Sequence, residues 1–123
     1  MQKTVLIVDD AESVAASLAL AVESIPGMKP VVALHPHAAL LIFRDSAVKI
    51  AAIITDLSLP ALDGFELIRQ LRETSGYENV PAIMITADEQ ASPNGNTLCK
   101  PNVIFRKPFS VREVCRVLEQ LVT

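Results

Sequence analysis

The chain has 123 residues, which suits one domain of ordinary size. Half of it is apolar but only 4% is aromatic, with no Trp and one Tyr (Tyr77), so any core is built from Val, Ile, Leu and Ala. Eleven basic residues against fourteen acidic ones give a net charge of −3, with no Lys/Arg cluster to neutralise phosphates and few rings to stack bases, which argues against a nucleic-acid binder. Short β-branched runs alternate with helical stretches along the chain. Thr4–Val8 reads as a first strand, and 11–24 as a helix with Val14, Leu18, Val22 and Ile25 on one face, stopped by Pro26-Gly27. Pro30–Ala33 is a second strand, followed by a helix opened by Pro36 and running to about Asp45. Ile50–Thr55 is a third strand; Asp63, with Glu66 three residues on, introduces a helix that buries Phe65, Ile68 and Leu71. Pro81–Thr86 and Val103–Arg106 complete five strands. Ser110 with Glu113 forms a capping box for a last helix that buries Val111, Val114, Leu118 and Leu121.

Strands apolar on both faces, alternating with helices, predict an α/β fold: an open, doubly wound parallel sheet of five strands. The longest unbroken apolar run, Ala38 to Phe43, falls far short of the ~20 residues of a membrane span, and the N-terminus has no signal-peptide pattern. Cys99 and Cys115 are too few and too far apart for a zinc site or a disulfide framework, so a reduced, cytoplasmic setting is expected. His35-Pro36-His37 reads as a turn at the surface rather than a metal site. The apolar second helix is read as covered, with a dimer or partner face as the alternative.

In such sheets ligands bind beyond the carboxyl ends of the strands. Those ends carry Asp9 and Asp10 after strand one, Asp56 after strand three, Thr86 at the end of strand four and Lys107 after strand five. Taken singly, Asp9 or Asp10 would pass as a helix cap, and Asp63 as a cap too; Asp56 caps nothing obvious. Clustered carboxylates must protonate, pair with a cation or bind a metal, since two of them ~4 Å apart repel by about 4 kcal/mol at an effective dielectric near 20. Mg²⁺ suits oxygen-only ligands. With its charge screening the cluster, a carboxylate can attack phosphorus, while the metal, Lys107 and the Thr86 hydroxyl hold the three equatorial oxygens.

The segments VLIVDD (5–10), TDLSLPALDG (55–64), MITA (84–87) and RKPF (106–109) resemble the receiver domains of bacterial two-component response regulators, in order and spacing over the whole chain. The resemblance implies the (βα)5 flavodoxin-like fold with strand order 2-1-3-4-5, as one receiver domain over 1–123 without an output domain. It implies Asp56 as phosphoacceptor, and Mg²⁺ held by Asp10, Asp56 and the Ser58 backbone carbonyl, with Asp9 acting through a water. Thr86 and Lys107 would hold phosphoryl oxygens, and Lys107-Pro108 matches a bond that is usually cis. Ser58 and Asp88 fall where the family tunes its own dephosphorylation. Implied partners are a histidine kinase or histidine phosphotransfer protein and a downstream protein target, with the chain a monomer or weak homodimer. A phosphorylation-independent interaction module is the alternative. A phosphatase with an aspartate nucleophile is disfavoured, because it would place a second Asp where this chain has Ser58.

Two stretches depart from the family pattern. Between 87 and 102 the turn signal Pro93-Asn94-Gly95 and the breaker Pro101 predict a short helical turn or a mobile loop where the family builds its fourth helix. Three residues before Lys107 the family usually has Tyr or Phe, an aromatic that swings inward when the Thr moves toward the phosphoryl group; here it is Ile104, with Phe105 aimed at the opposite face by strand alternation.

Overall fold

The computed structural model describes residues 2–92 and 97–123. Five strands, β1 (Lys3–Val8), β2 (Met28–Ala33), β3 (Ile50–Asp56), β4 (Ala82–Thr86) and β5 (Val103–Arg106), form one parallel sheet in the order β2-β1-β3-β4-β5. The helices are α1 (Glu12–Glu23), α2 (Pro36–Arg44), α3 (Gly64–Arg72) and α4 (Val111–Val122). One face of the sheet (Leu6, Val8, Ile53, Met84) packs against Ala39, Leu40 and Phe43 of α2 and Leu67, Ile68 and Leu71 of α3. The other (Val5, Ile7, Ile54, Ile83, Ile85) packs against Ala15, Leu18 and Val22 of α1 and Val114 and Leu118 of α4. This is the doubly wound arrangement that strands apolar on both faces demand.

The helix starts follow the local chemistry. Asp63 Oδ1 accepts the Glu66 N–H at 2.9 Å and Ser110 Oγ accepts the Glu113 N–H at 3.3 Å. His35 caps α2, its Nδ1 accepting the His37 N–H, so this His pair sits at a helix entrance. The predicted inward faces are partly corrected by packing. In α1 Ala15 is buried and Val14 only half-buried; in α3 Leu67 replaces the half-buried Phe65; in α4 Val111 and Leu121 lie at the margin. β2 begins earlier than the Pro30 start expected from the sequence, and β3 extends through Asp56.

Pro30 sits on an edge strand. Gly27 and Ala33 turn their carbonyls toward β1, accepting from Lys3 and Asp9, so even-numbered positions of β2 face outward. The missing N–H of Pro30 therefore costs no ladder bond and leaves a gap in the exposed edge.

Between β4 and β5 the described chain has a single 3₁₀ turn, Thr97–Cys99, where a full helix would otherwise run. The signal at Pro93-Asn94-Gly95 lies outside the described residues. The turn is held by Arg72, buried at the end of α3. Its guanidinium donates to Val80 O (3.1 and 3.3 Å), Leu98 O (3.3 Å), Lys100 O and Asn102 Oδ1 (3.0 Å). Asn102 Oδ1 also accepts the Ala82 N–H, tying this cluster to the start of β4.

Candidate functional site

β1 and β3 are neighbours, so the residues that follow and end them meet at one rim. Ligand oxygens of Asp9, Asp10 and Asp56 all lie within 4.8 Å of one another, and these three are the grouped acidic or metal-ligating side chains found among the described residues. Asp9 and Asp56 are buried and Asp10 is exposed. Asp9 does not cap α1: the N-cap is Ala11, and Asp9 Oδ1 accepts the Ala11 N–H at 2.9 Å. At 4.8 Å two carboxylates repel by about 3.5 kcal/mol at an effective dielectric near 20. Burial, with the charges of Asp56 and Asp10 adding to it, pushes the Asp9 carboxyl above the ordinary carboxylate range, against the Ala11 N–H and Lys107, which pull it down.

Lys107 follows β5, and its Nζ lies 3.5 Å from Asp56 Oδ1. The Lys107-Pro108 peptide is cis, as the sequence resemblance implied. On β4, Ile85 is the register partner of Asp56, so Thr86 lies one residue beyond it at the same rim, 2% exposed. Three carboxylates face one ammonium. The donor set is oxygen-only, tightly grouped and under-compensated, which fits a hard divalent cation such as Mg²⁺.

The loop after β3 closes on itself to shape this rim. Leu57 donates to Ile85 O, and Gly64 N–H returns to Leu57 O at 2.9 Å. A Cβ on Gly64 would stand 2.4 Å from the Asp56 carbonyl oxygen, so no side chain fits there without moving the backbone of the central Asp. Within the loop, Leu62 N–H reaches Pro60 O around Ala61, whose φ is 73°: a three-residue turn with a non-glycine residue in left-handed space. Ser58, exposed in this loop, and Asp88, after β4, line the same groove of about 910 Å³ beside the rim.

Ile104 packs, half-buried, with the α2/α3 side of the core, while Phe105 packs with the α1/α4 side. Strand alternation thus separates the two as predicted. Tyr77 is equally committed: its hydroxyl accepts the Ile50 N–H at 3.1 Å and donates to Val48 O at 3.4 Å, at the opposite end of β3 from Asp56. Gly64 and the Arg72–Asn102 pair were missed by sequence reasoning. Gly64 has a signal in the Asp-Gly pair opening α3; nothing in the sequence distinguishes Arg72 from other bases of a last helical turn.

Residues 5–119 match the family model described as the response regulator receiver domain. Among relatives, the chain is 31% identical over 124 residues to an uncharacterised 14.6 kDa protein in the sodA1 3′ region of Leptolyngbya boryana, covering 97% of this chain and 89% of that one. It is 27% identical over 70 residues to the two-component response regulator ARR16 of Arabidopsis thaliana, covering 56% of this chain but 43% of that one. The fold superposes on the chemotaxis response regulator CheY4 of Vibrio cholerae with a TM-score of 0.82 at 23% identity, over 98% of this chain and 99% of that one. Among the described residues no helix is long and apolar enough to cross a membrane. Fold, rim and family model agree, and the chain belongs to the response regulator receiver domain family of two-component systems.

Proposed function

We propose that this receiver domain accepts a phosphoryl group on Asp56 from the phosphohistidine of a histidine kinase or phosphotransfer protein, and signals by a shift in its surface to a downstream protein. The observation that carries this reading is the meeting of Asp56 with Lys107 at 3.5 Å and with two further carboxylates inside 4.8 Å. Mg²⁺ would be held by Asp10, Asp56 and the Ser58 carbonyl, with Asp9 through a water; bound, it supplies charge neutralisation for phosphoryl transfer.

In the step itself, an Asp56 carboxylate oxygen forms a bond to phosphorus as the P–N bond of the phosphohistidine breaks. The imidazole nitrogen keeps the electron pair and later takes a proton from solvent. Lys107 Nζ and the Thr86 hydroxyl donate to phosphoryl oxygens as charge builds on them. In dephosphorylation water attacks the phosphorus as the P–O bond to Asp56 breaks, giving the free Asp56 carboxylate and inorganic phosphate, with a proton of the water passing to solvent; Ser58 and Asp88, on the groove beside the rim, set its approach. The same reading puts the chain in the cytoplasm.

The half-buried, hydroxyl-free Ile104 favours a second reading, an interaction module that works without phosphate. Incubation with acetyl phosphate and Mg²⁺, followed by intact-mass measurement, separates the two. One phosphoryl adduct is expected on the natural protein and none on Asp56→Asn. An unlabelled natural protein, under conditions that label another receiver, selects the second reading.

A further inference from the structure

With Asp56 as the phosphoacceptor, the reading on which this inference rests, Thr86 needs a route to the surface that does not pass through an aromatic at position 104. β5 offers one two residues further along. Arg106 is the register partner of Thr86, on the face of the sheet that Ile104 shares, and it is exposed. Its Nη1 donates to the carbonyl of Asp88 at 2.9 Å. The N–H of the same Asp88 donates to Thr86 Oγ1 at 3.0 Å, and Asp88 Oδ1 accepts the Gln90 N–H at 2.9 Å. Lys107 N–H bonds the Thr86 carbonyl at 2.8 Å, so the Thr86 backbone is fixed while its side chain answers to Asp88.

A hydroxyl accepts through its lone pairs and donates through one proton on a rotor. When the Asp88 N–H engages a lone pair of Thr86 Oγ1, it restricts the directions that proton can take. What holds Asp88 therefore aims Thr86. The geometry points to Arg106 as a positioning residue for Thr86: through the Asp88 carbonyl it sets the start of the 87–92 segment, and it links any turn of the Thr86 hydroxyl toward a phosphoryl oxygen to an exposed guanidinium. The apolar contact of Ile104 then need not move for the surface to change. A cation at the rim of the 87–92 segment stands in for a swinging ring.

Arg106→Ala and Arg106→Lys test this by titration with beryllofluoride, a phosphoryl mimic on carboxylates, in the presence of Mg²⁺ and followed by amide NMR. In the natural protein the amides of Thr86 to Gln90 shift on saturation. Arg106→Ala binds beryllofluoride roughly two- to tenfold more weakly, the worth of one hydrogen bond, and shows smaller shifts at Asp88 and Gln90. Its Mg²⁺ affinity without fluoride is unchanged, and Arg106→Lys, which keeps one donor for the carbonyl, recovers most of the loss. An alanine variant with natural affinity and natural shifts overturns the role of Arg106 and leaves Asp56 standing. So does one that loses Mg²⁺ affinity in parallel, because the whole rim has then been disturbed. A natural protein with no beryllofluoride-dependent shift overturns both.

Discussion

Asp9 carries opposite consequences for the fold and for its site. It is buried, it accepts the Ala11 N–H, and its neighbours are Asp56 and Asp10. Its carboxyl titrates above the unfolded value of about 4. The metal-free fold is therefore favoured below that value and loses this contribution as pH rises through the folded one. Asp9→Asn removes the charge and keeps an oxygen for Ala11. With chelator at pH 7 the variant is expected to melt above the natural protein, and the gap to close as pH falls through the folded value to about 4. Mg²⁺ at a hundred times its Kd adds about 2.7 kcal/mol to the natural protein and much less to the variant; scanning calorimetry at the two pH values checks both. The acidic residues at the strand ends were legible in the sequence because each follows or ends an apolar run that reads as a parallel strand, and the carboxyl ends of such strands lie together. Ala61 and Gly64 were not legible in the same way. The strained turn at Ala61 (φ 73°) is set by the closure of the 57–64 loop, and the need for Gly64 by its approach to the Asp56 carbonyl, two facts of three dimensions.

Among the elements, the strands were legible nearly to the residue because apolar runs on both faces admit few other states. The helix faces were less so, since a helix between two neighbours buries a wider arc than a single stripe indicates. The largest departure lies between β4 and β5, where Arg72 and Asn102 organise the chain around one 3₁₀ turn. Nothing in the pattern of α3 marks Arg72 as buried: a base in the last helical turn is ordinarily solvated and suited to the helix dipole. Here burial lowers its pKa from the usual guanidinium value, and the carbonyls of Val80 and Leu98 and the Asn102 amide oxygen, rather than a carboxylate, accept its protons. Arg72→Met keeps the stem and strips several buried acceptors of their donor. It is expected to cost about 2–4 kcal/mol, read as a lower urea midpoint, with the amides of residues 97–102 losing exchange protection first. Mg²⁺ affinity should change little, because Arg72 bonds residues at the N-terminal ends of β4 and β5, away from the carboxylates.

For the whole molecule, the two-faced sheet explains why so much of the candidate rim was visible in the sequence: a parallel sheet sends all its carboxyl ends one way, so residues distant in sequence share an address. The readout was less visible, because Ile104 and Arg106 differ in meaning only once register fixes which of them stands beside Thr86. Strand order has a further consequence, in time. The three carboxylates come from elements on either side of the β1–β3 pairing, in the middle of the sheet; Lys107 follows β5, at its edge. During synthesis, with N-terminal portions emerging first, the anionic half of the rim is available for assembly before its cation exists. A divalent metal held by these carboxylates would then act as a folding ligand before it serves phosphoryl transfer. In refolding experiments Mg²⁺ is expected to raise the folding rate constant as well as slow unfolding, the outcome for a site whose β1–β3 frame is already paired in the transition state; stopped-flow chevrons with and without Mg²⁺ measure the split.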